Sequence, residues 1–401
     1  MRTDTLHSDR PRHLTLPTPD HRLLVRLYHA VLNRFLLLPL GAAIAVVWAN
    51  VDPEPYFRFS QAAAFPVNEI AMVFFLGLIA QEVFEGLMPG GELHRWRYVG
   101  GAVIAAAGGL AGSVFAFWMF IGASHELVLG VGWPIVAAVD LAAGYYVVRL
   151  IYPRRHSVTT FVLLTAVITD VVVMTVVTFQ AADFALHPAG VILIVAAIAG
   201  AAELRRRRVA SFWPYWLACG TASWVGCYWL GIHPALALVP IVPFLPHDAR
   251  REEVFADRAD QQPVHAVEHR WNGVAQVALF LFGLVNAGVI LKAADTGTWA
   301  VLLGAVVGRP AGILTALAMA AAIGIGLPRA MQWRDVVIAA LATTSGFTFA
   351  LFLGTVALPI GAVDGQMTVG ALLTVVGAAT CIGVARLIHA GRFKPRAESL
   401  S

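Results

Sequence analysis

Apolar residues fill twelve stretches of the chain, and short segments rich in arginine, proline and acidic residues separate them. A helix needs roughly 20 residues to cross the hydrocarbon layer of a bilayer, which is about 30 Å thick. Most of the stretches approach that length, and they are too continuous for the alternating pattern of a membrane barrel. The pattern therefore predicts an all-α integral membrane protein of about twelve transmembrane helices, near residues 35–50, 66–86, 98–121, 128–150, 158–180, 186–202, 212–230, 234–246, 271–291, 298–323, 336–356 and 368–389.

The composition agrees with this interpretation, because 59% of the 401 residues are hydrophobic, 13% are charged and the mean hydropathy is +0.74. Such a chain has more apolar surface than a soluble core of this length can bury. We therefore expect one transmembrane domain over residues 35–390, solvated by the lipid bilayer, with an N-terminal tail at 1–34 and a C-terminal tail at 391–401. The N-terminal tail has no apolar segment of the kind found in a secretory signal peptide.

The basic residues predict the orientation, since cytoplasmic loops of membrane proteins collect Lys and Arg. With twelve spans and the N-terminus inside, all but three of the 28 basic residues fall on the cytoplasmic side. The exceptions are Arg58 and Lys292 outside and Arg309 within a span. Both tails are therefore predicted to be cytoplasmic. The net charge of +4 follows from this topology, as does the run from Arg205 to Arg208, so the sequence requires no nucleic acid as a partner and predicts no cofactor.

Three charged residues lie near the middle of predicted spans: Asp140, Asp170 and Arg309. Burying an ionised side chain there costs from about 2.5 to more than 10 kcal/mol, so such residues usually mark an ion or proton path. Arg309 stays protonated and can pair with one carboxylate, which would make it a structural, charge-compensating residue. Two carboxylates against one guanidinium still leave a deficit of one positive charge. A bound proton or metal cation would supply that charge.

Two of the spans carry residues that interrupt a helix. Asp140 follows Pro134, and the eleventh span contains TTSGFTF, in which Thr344, Ser345 and Gly346 form the candidate break. Unwound backbone at membrane depth occurs where protein or water satisfies the freed polar groups, and paired broken helices indicate a transport site. The alternative is an ordinary kink at either place, since Gly and Pro are common in membrane helices.

Several sequence blocks that contain these residues follow one another along most of the chain. They are FFLGLIAQEVFEG from Phe74, GWPIVAAVD ending at Asp140, AVITD ending at Asp170, GIHPALA from Gly231, VEHRWNGVAQVALFLFGLVNAGV from Val267, VVGRPAGI around Arg309 and SGFTFALF from Ser345. In this order the blocks resemble the NhaA-type sodium/proton antiporters. The resemblance implies the inverted-repeat antiporter fold of that family, two inverted repeats of three helices, whose interrupted fourth and eleventh spans cross near mid-membrane.

The resemblance also implies secondary active exchange of sodium or lithium ions for protons across the bacterial cytoplasmic membrane, in pH and sodium homeostasis. Asp170 would bind the sodium ion and the proton in turn, with Thr169 beside it, and Asp140 would balance the dipoles of the interrupted helices. By analogy the protein would be a homodimer. The residues implied for a funnel or pH-sensing region are Glu82, Glu85, Glu268 and His269.

Two departures from the family pattern change the expected chemistry. The family usually carries two adjacent aspartates where this chain has Thr169 and Asp170, and a lysine where it has Arg309. Threonine offers a hydroxyl oxygen to a hard cation but releases no proton, and arginine does not give up its proton. Asp170 is then the principal proton carrier. We therefore expect one-for-one, electroneutral exchange.

Three other interpretations remain open in the sequence. HAVEH at residues 265–269 fits the H-x-x-E-H pattern of a zinc protease, and paired intramembrane aspartates suggest an aspartyl protease. The first pattern is short and overlaps an antiporter-like block, and Asp140 and Asp170 lack the glycine-flanked motif expected of the second, so we expect no enzyme. The third is an antiporter-like scaffold with another ion or solute as substrate, or a sensor that does not transport.

Overall fold

The computed structural model describes residues 37–87, 96–153, 156–180, 187–209, 211–245, 266–325, 327, 331–357 and 362–393. The predicted N-terminal tail and all but the first three residues of the C-terminal tail lie outside this described part. Every regular element of the described part is helical. The α-helices are α1 (Leu37–Val51), α2 (Pro53–Phe65), α3 (Met72–Leu87), α4 (Trp96–Ala123), α5 (Trp133–Ala137), α6 (Leu141–Ile151), α7 (Ser157–Gln180), α8 (Pro188–Arg206), α9 (Phe212–Pro214), α10 (Thr221–Trp229), α11 (Ala266–Asn286), α12 (Thr296–Leu303), α13 (Arg309–Ala322), α14 (Trp333–Ala342), α15 (Phe347–Ala357), α16 (Ala362–Leu373) and α17 (Val375–Leu387).

Several of these helices continue into one another and form membrane-length segments. Six such segments of the described residues are long and apolar enough to cross a membrane: Pro53–Gly77, Val99–Ala123, Ser157–Gln180, Pro188–Arg206, Thr296–Ala322 and Val363–Phe393. The pair Trp333–Ala342 and Phe347–Gly354, bent by 41°, makes a seventh if it is one span. The protein is therefore a multi-pass, all-helical membrane protein. The twelve spans predicted from the sequence also include apolar segments that are shorter than these or are interrupted.

The fourth and eleventh predicted spans are each interrupted. In the fourth, a 3₁₀ helix (Leu127–Gly132) and α5 lead into an extended segment, residues 138–140, after which α6 begins. In the eleventh, α14 ends at Ala342 and α15 begins at Phe347. Pro134, which lies at the start of α5, suits that position because its missing N–H is unpaired there in any helix.

In the eighth predicted span, residues 234–246, the described residues 234–245 do not form the expected helix. The chain there winds into two short 3₁₀ helices, Pro234–Leu236 and Val242–Phe244, joined by turns. Pro240 and Pro243 have no N–H to donate, and most of the amides around them bond three residues back. The prediction of a helix for this segment is wrong. It relied on the apolar composition of the segment and gave too little weight to the spacing of its prolines.

Close packing of α4 against α13 brings Arg309 into the protein interior. The two backbones approach at glycines spaced one turn apart, Gly108 and Gly112 on α4 and Gly308 and Gly312 on either side of Arg309. A Cβ at Gly312 would overlap the carbonyl oxygen of Gly108, and one at Gly112 would lie 2.7 Å from the Cα of Gly312. Small residues at this spacing let membrane helices pack closely. As a result Arg309 is only 1% exposed.

Candidate ion-binding site

The two interrupted spans cross at their breaks. The backbone N–H of Asp140 donates to the carbonyl oxygen of Ser345 at 2.7 Å. A Cβ at Gly346 would lie 2.8 Å from the carbonyl oxygen of Ala138, so the absence of a side chain at Gly346 lets the two backbones touch. The N–H of Gly346 donates to the hydroxyl oxygen of Thr374 at 3.2 Å. Protein groups thus satisfy the backbone that the breaks release.

Asp140 lies at the N-termini of two helices at once. Its Oδ1 accepts a hydrogen bond from the N–H of Ala143 in the first turn of α6, at 3.0 Å. Its Oδ2 accepts two from Thr348 in the first turn of α15, from the N–H at 3.1 Å and the hydroxyl at 2.5 Å. A carboxylate is favourable there because a helix N-terminus carries unpaired N–H groups and partial positive charge. Both oxygens of Asp140, which is 3% exposed, are therefore engaged in holding the crossing together.

Arg309 lies at the C-terminal end of α5, whereas Asp140 lies at helix N-termini. Its Nη2 donates to the carbonyl oxygens of Val136 and Ala138 at 2.7 and 2.8 Å, where the interrupted helix leaves carbonyls unpaired. Its Nε is buried and has no hydrogen-bond partner. Among the described side chains, no carboxylate lies within 4.0 Å of the guanidinium. Arg309 therefore compensates the helix end directly, and it does not form the close ion pair that the sequence suggested.

Asp170 projects from α7 toward the extended segment of the fourth span. Its Oδ1 accepts a hydrogen bond from the N–H of Val139 at 3.1 Å, and no other described residue donates to it. Asp170 is only partly buried. Thr169, which is 2% exposed, donates its hydroxyl to the carbonyl of Thr165 at 2.8 Å and keeps its oxygen lone pairs available. Of the two predicted carboxylates, Asp170 thus has more acceptor sites left for a ligand.

The remaining predicted residues belong to the helix break and to the funnel region. Thr344 donates its hydroxyl to the carbonyl of Leu341 at 2.7 Å at the end of α14, and the Ser345 hydroxyl is buried without a partner. The funnel residues lie on α3 and α11, but their side chains fall outside the part of the chain that the structure describes: Glu82, Glu85, Glu268 and His269.

Sequence reasoning missed three groups that build the site. Thr348 could have been found, since a hydroxyl just after a glycine break is well placed to cap the next helix. The backbone N–H of Val139 and the hydroxyl of Thr374 carry no such signal. Thr374 lies 28 residues from its partner Gly346, at the joint between α16 and α17.

Comparison with known proteins gives a consistent family. The profile of the family described as Na+/H+ antiporter 1 matches residues 32–387. The Na(+)/H(+) antiporter NhaA of Desulfitobacterium hafniense (strain DSM 10664 / DCB-2) is 35% identical over 368 residues, which cover 89% of this chain and 95% of the relative. The protein of the same name from Geobacter metallireducens is 36% identical over 345 residues, which cover 83% and 90%.

A solved structure shares the fold. It is that of the sodium proton antiporter MjNhaP1 from Methanocaldococcus jannaschii at pH 8, with a TM-score of 0.58 and 15% sequence identity. The match covers 91% of this chain and 98% of that one.

Proposed function

The chain belongs to the Na+/H+ antiporter 1 family, and from that premise we propose that its exchange of sodium ions for protons takes place at Asp170. The protein is a secondary active transporter in a membrane and not an enzyme. The family match also confirms the resemblance to NhaA-type antiporters seen in the sequence.

The contrast between two carboxylates carries the assignment to Asp170. Asp140 accepts three hydrogen bonds that fix two helix ends, which leaves only about one of its four acceptor sites for a proton or cation. Asp170 accepts one, from Val139, and is partly exposed. A transported ion must both bind and dissociate, which favours the carboxylate that accepts fewer hydrogen bonds from the protein.

Sodium and the proton compete for Asp170 in this proposal. The carboxylate and the lone pairs of the Thr169 hydroxyl provide oxygen ligands of the kind that hard cations take, and water completes the shell. Binding of a cation requires the deprotonated carboxylate, so release of one ion on one side of the membrane permits capture of the other. Asp170 also accepts a hydrogen bond from the N–H of Val139 in the interrupted span. Binding of an ion to the carboxylate therefore affects that hydrogen bond directly.

The charges at the crossing favour an electroneutral cycle. Arg309 is permanently positive, and the Asp140 carboxyl group accepts three hydrogen bonds at two helix ends, so in this proposal the two residues are structural and their formal charges cancel. Asp170 then adds one negative charge, which one proton or one sodium ion neutralises. Each half-cycle therefore moves the same charge, and the exchange is one for one.

The wider architecture in this proposal is that of the family. It has twelve spans with two inverted repeats, lies in the bacterial inner membrane with both tails cytoplasmic, and forms a homodimer in the lipid bilayer. The transported cation is sodium or lithium, and the residues assigned to a funnel or pH-sensing region by the family resemblance are Glu82, Glu85, Glu268 and His269. The distribution of basic residues along the sequence supports the orientation.

The test uses the full chain in liposomes that contain a pH-sensitive dye. Sodium is added with and without a potassium/valinomycin clamp to native protein, to Asp170→Asn and to Asp364→Asn. Asp364 is a suitable control because it is another partly buried acid within a membrane-length segment, hydrogen-bonded only to Thr368 among the described residues.

We expect sodium to drive proton movement in the native protein and in Asp364→Asn, and not in Asp170→Asn. The clamp should leave the rate unchanged. Exchange that survives in Asp170→Asn would refute the site, and a rate that follows the membrane potential would refute the one-for-one stoichiometry.

A further inference from the structure

A buried hydrogen bond joins the two interrupted spans a second time, away from the crossing. The hydroxyl of Tyr152, the residue that ends α6, donates to Oδ1 of Asp335 in the first turn of α14 at 2.7 Å. The two residues are 2% and 8% exposed. Neither takes part in the proposed binding of sodium or the proton, and a buried acid and phenol outside that site call for an explanation.

Asp335 is fixed at the start of α14. Its Oδ2 accepts a hydrogen bond from the backbone N–H of Gln332 at 2.9 Å, and the Gln332 side chain accepts the N–H of Asp335 in return. This reciprocal cap satisfies N–H groups that the first turn of a helix leaves unpaired. One oxygen of Asp335 therefore caps its own helix, and the other binds Tyr152.

Tyr152 is fixed at the end of α6. Its N–H donates to the carbonyl oxygen of Val148 at 2.7 Å, and its ring stacks on His156, with centroids 4.4 Å apart and planes at 29°. Gly391 covers the same end of the helix at a φ of +55°, where a Cβ would overlap the carbonyl oxygen of Ile151. The surroundings of Tyr152 therefore hold its side chain in place.

Other helices enclose this hydrogen bond. α17 packs against both α6 and α14, and Sγ of Cys381 on α17 lies 3.5 Å from the carbonyl oxygen of Ile338 on α14. Tyr152 belongs to one apolar cluster with residues of α7, α13 and α14. Water thus has little access to the hydroxyl and the carboxylate, and neither has a ready substitute for the other.

Both ends of α6 are hydrogen-bonded to the eleventh span. Asp140 at its start binds Thr348, and Tyr152 at its end binds Asp335. α6 has 11 residues, which span about 16 Å, and Asp335 and Thr348 lie on opposite sides of the break at residues 343–346. The two attachments together fix the tilt of α6 against the broken span, whereas one alone would let α6 pivot about the crossing.

The tilt of α6 matters to the ion site because the segment that leads into α6 makes backbone contacts there. Val139 donates its N–H to Asp170 at 3.1 Å, and the carbonyl oxygen of Ala138 accepts from Arg309 at 2.8 Å. Val139 and Ala138 belong to the extended segment directly before α6. A pivot of α6 about Asp140 would therefore move the N–H that Asp170 accepts.

We propose that Tyr152 and Asp335 are positioning residues for the exchange, whose hydrogen bond holds α6 at the tilt in which the site around Asp170 binds sodium. Without this bond α6 takes several tilts, and only a fraction of the molecules has Val139 in place. The apparent affinity for a ligand falls by that fraction, whereas a saturating ligand restores the binding-competent state. The apparent KM for sodium therefore rises and the maximal rate is retained. This inference rests on the proposed function, because it concerns the same site.

The test measures sodium KM and the maximal exchange rate per folded protein in liposomes at alkaline pH, where the proton competes least with sodium. Tyr152→Phe removes only the hydroxyl, Asp335→Ala removes its acceptor, and a double variant combines the two changes. Tyr56→Phe is the matched control. Tyr56 is also fully buried, and its hydroxyl donates to the carbonyl oxygens of Leu284 and Val285, outside the interrupted spans.

We expect KM to rise at least about threefold in Tyr152→Phe and in Asp335→Ala, with a maximal rate within about twofold of the native value. The double variant should have the KM of Asp335→Ala alone, because two residues that share one interaction are not additive. Tyr56→Phe should keep the native KM even if less of it folds. Asp335→Asn should also stay near the native KM, since its amide can donate to the Tyr152 oxygen and its carbonyl can accept from Gln332.

A native KM in Tyr152→Phe, whether or not less protein folds, would leave the hydroxyl with a purely structural role and overturn the proposal. An equal rise of KM in Tyr56→Phe would overturn it as well, and so would effects that add in the double variant. If Asp335→Ala does not fold, Tyr152→Phe and its control decide. Exchange that survives in Asp170→Asn is a separate failure, since it would refute the site at Asp170 whatever the KM of Tyr152→Phe.

Discussion

Thr348 donates two hydrogen bonds to the same oxygen of Asp140, one from its backbone N–H at 3.1 Å and one from its hydroxyl at 2.5 Å. Asp140 belongs to the fourth predicted span and Thr348 to the eleventh. A single carboxylate therefore ties together the two interrupted spans, and it does so beside the backbone that contacts Asp170 through Val139.

Replacing the Thr348 hydroxyl should loosen the crossing. Thr348→Val has nearly the same shape but leaves Asp140 with one donor fewer, and a hydrogen bond to a charged group contributes about 1.5–3 kcal/mol. We expect a loss of stability of that size, measured by unfolding of the purified protein in detergent. Thr348→Ser should behave like the native protein, and so should Thr380→Val, an exposed threonine on α17. Equal stability of Thr348→Val and native protein would contradict the role given to this hydroxyl.

Removal of the Arg309 guanidinium should be more damaging. Arg309→Leu leaves the carbonyls of Val136 and Ala138 without a donor in a buried site, at about 1–3 kcal/mol for each. We expect little folded protein, measured by size-exclusion chromatography and thermal unfolding. Arg309→Lys should retain part of the stability, because one ammonium can still donate to these carbonyls. A stable Arg309→Leu protein would show that the C-terminal end of α5 needs no counter-charge.

Competition between sodium and the proton at Asp170 predicts how the apparent KM for sodium changes with pH. Protonation blocks the carboxylate to sodium, so the apparent KM for sodium should rise as the pH falls. Below the pKa of the site each pH unit should raise KM about tenfold, and the rate at saturating sodium should change far less. KM measured in liposomes over a series of pH values tests this. A constant KM with a falling maximal rate would instead place the titrating group outside the sodium site.

Thr169 should tune affinity without changing that pH dependence. Thr169→Val removes the hydroxyl oxygen but leaves Asp170 in place, so we expect sodium KM to rise about tenfold, the equivalent of 1.4 kcal/mol, at every pH. Thr169→Ser should restore the native KM. If Thr169→Val changes the slope of KM against pH, Thr169 acts on the proton and not on the cation.

Sequence reasoning could find the charges of the site but not their partners. Asp140, Asp170 and Arg309 stand out because ionised residues are rare in apolar stretches, and glycine and proline mark the breaks. The sequence could not show that Arg309 contacts carbonyls instead of a carboxylate, because backbone acceptors look the same at every residue. Nor could it pair Tyr152 with Asp335, which are brought together only by the packing of α6 against α14.

The same limits explain the error in the predicted fold. Apolar length predicted a helix at residues 234–246, where prolines impose a tighter winding. Composition reports that a segment is buried or lies in lipid, whereas the geometry of the segment depends on which amides can donate. The two breaks were predicted because their signals, Pro134 and Gly346, lie within otherwise regular apolar stretches.

Gly346 provides a test of the crossing that involves no charge. A Cβ there would lie 2.8 Å from the carbonyl oxygen of Ala138, which also accepts a hydrogen bond from Arg309, so moving this carbonyl would disturb that bond. Gly346→Ala should therefore force the spans apart, at about 1–3 kcal/mol for overpacking, and slow exchange. Gly354→Ala on the same helix is the matched control, since its Cβ would meet nothing closer than 3.7 Å. If both variants unfold and transport alike, the approach of Ala138 to Gly346 is not what holds the two interrupted spans in register.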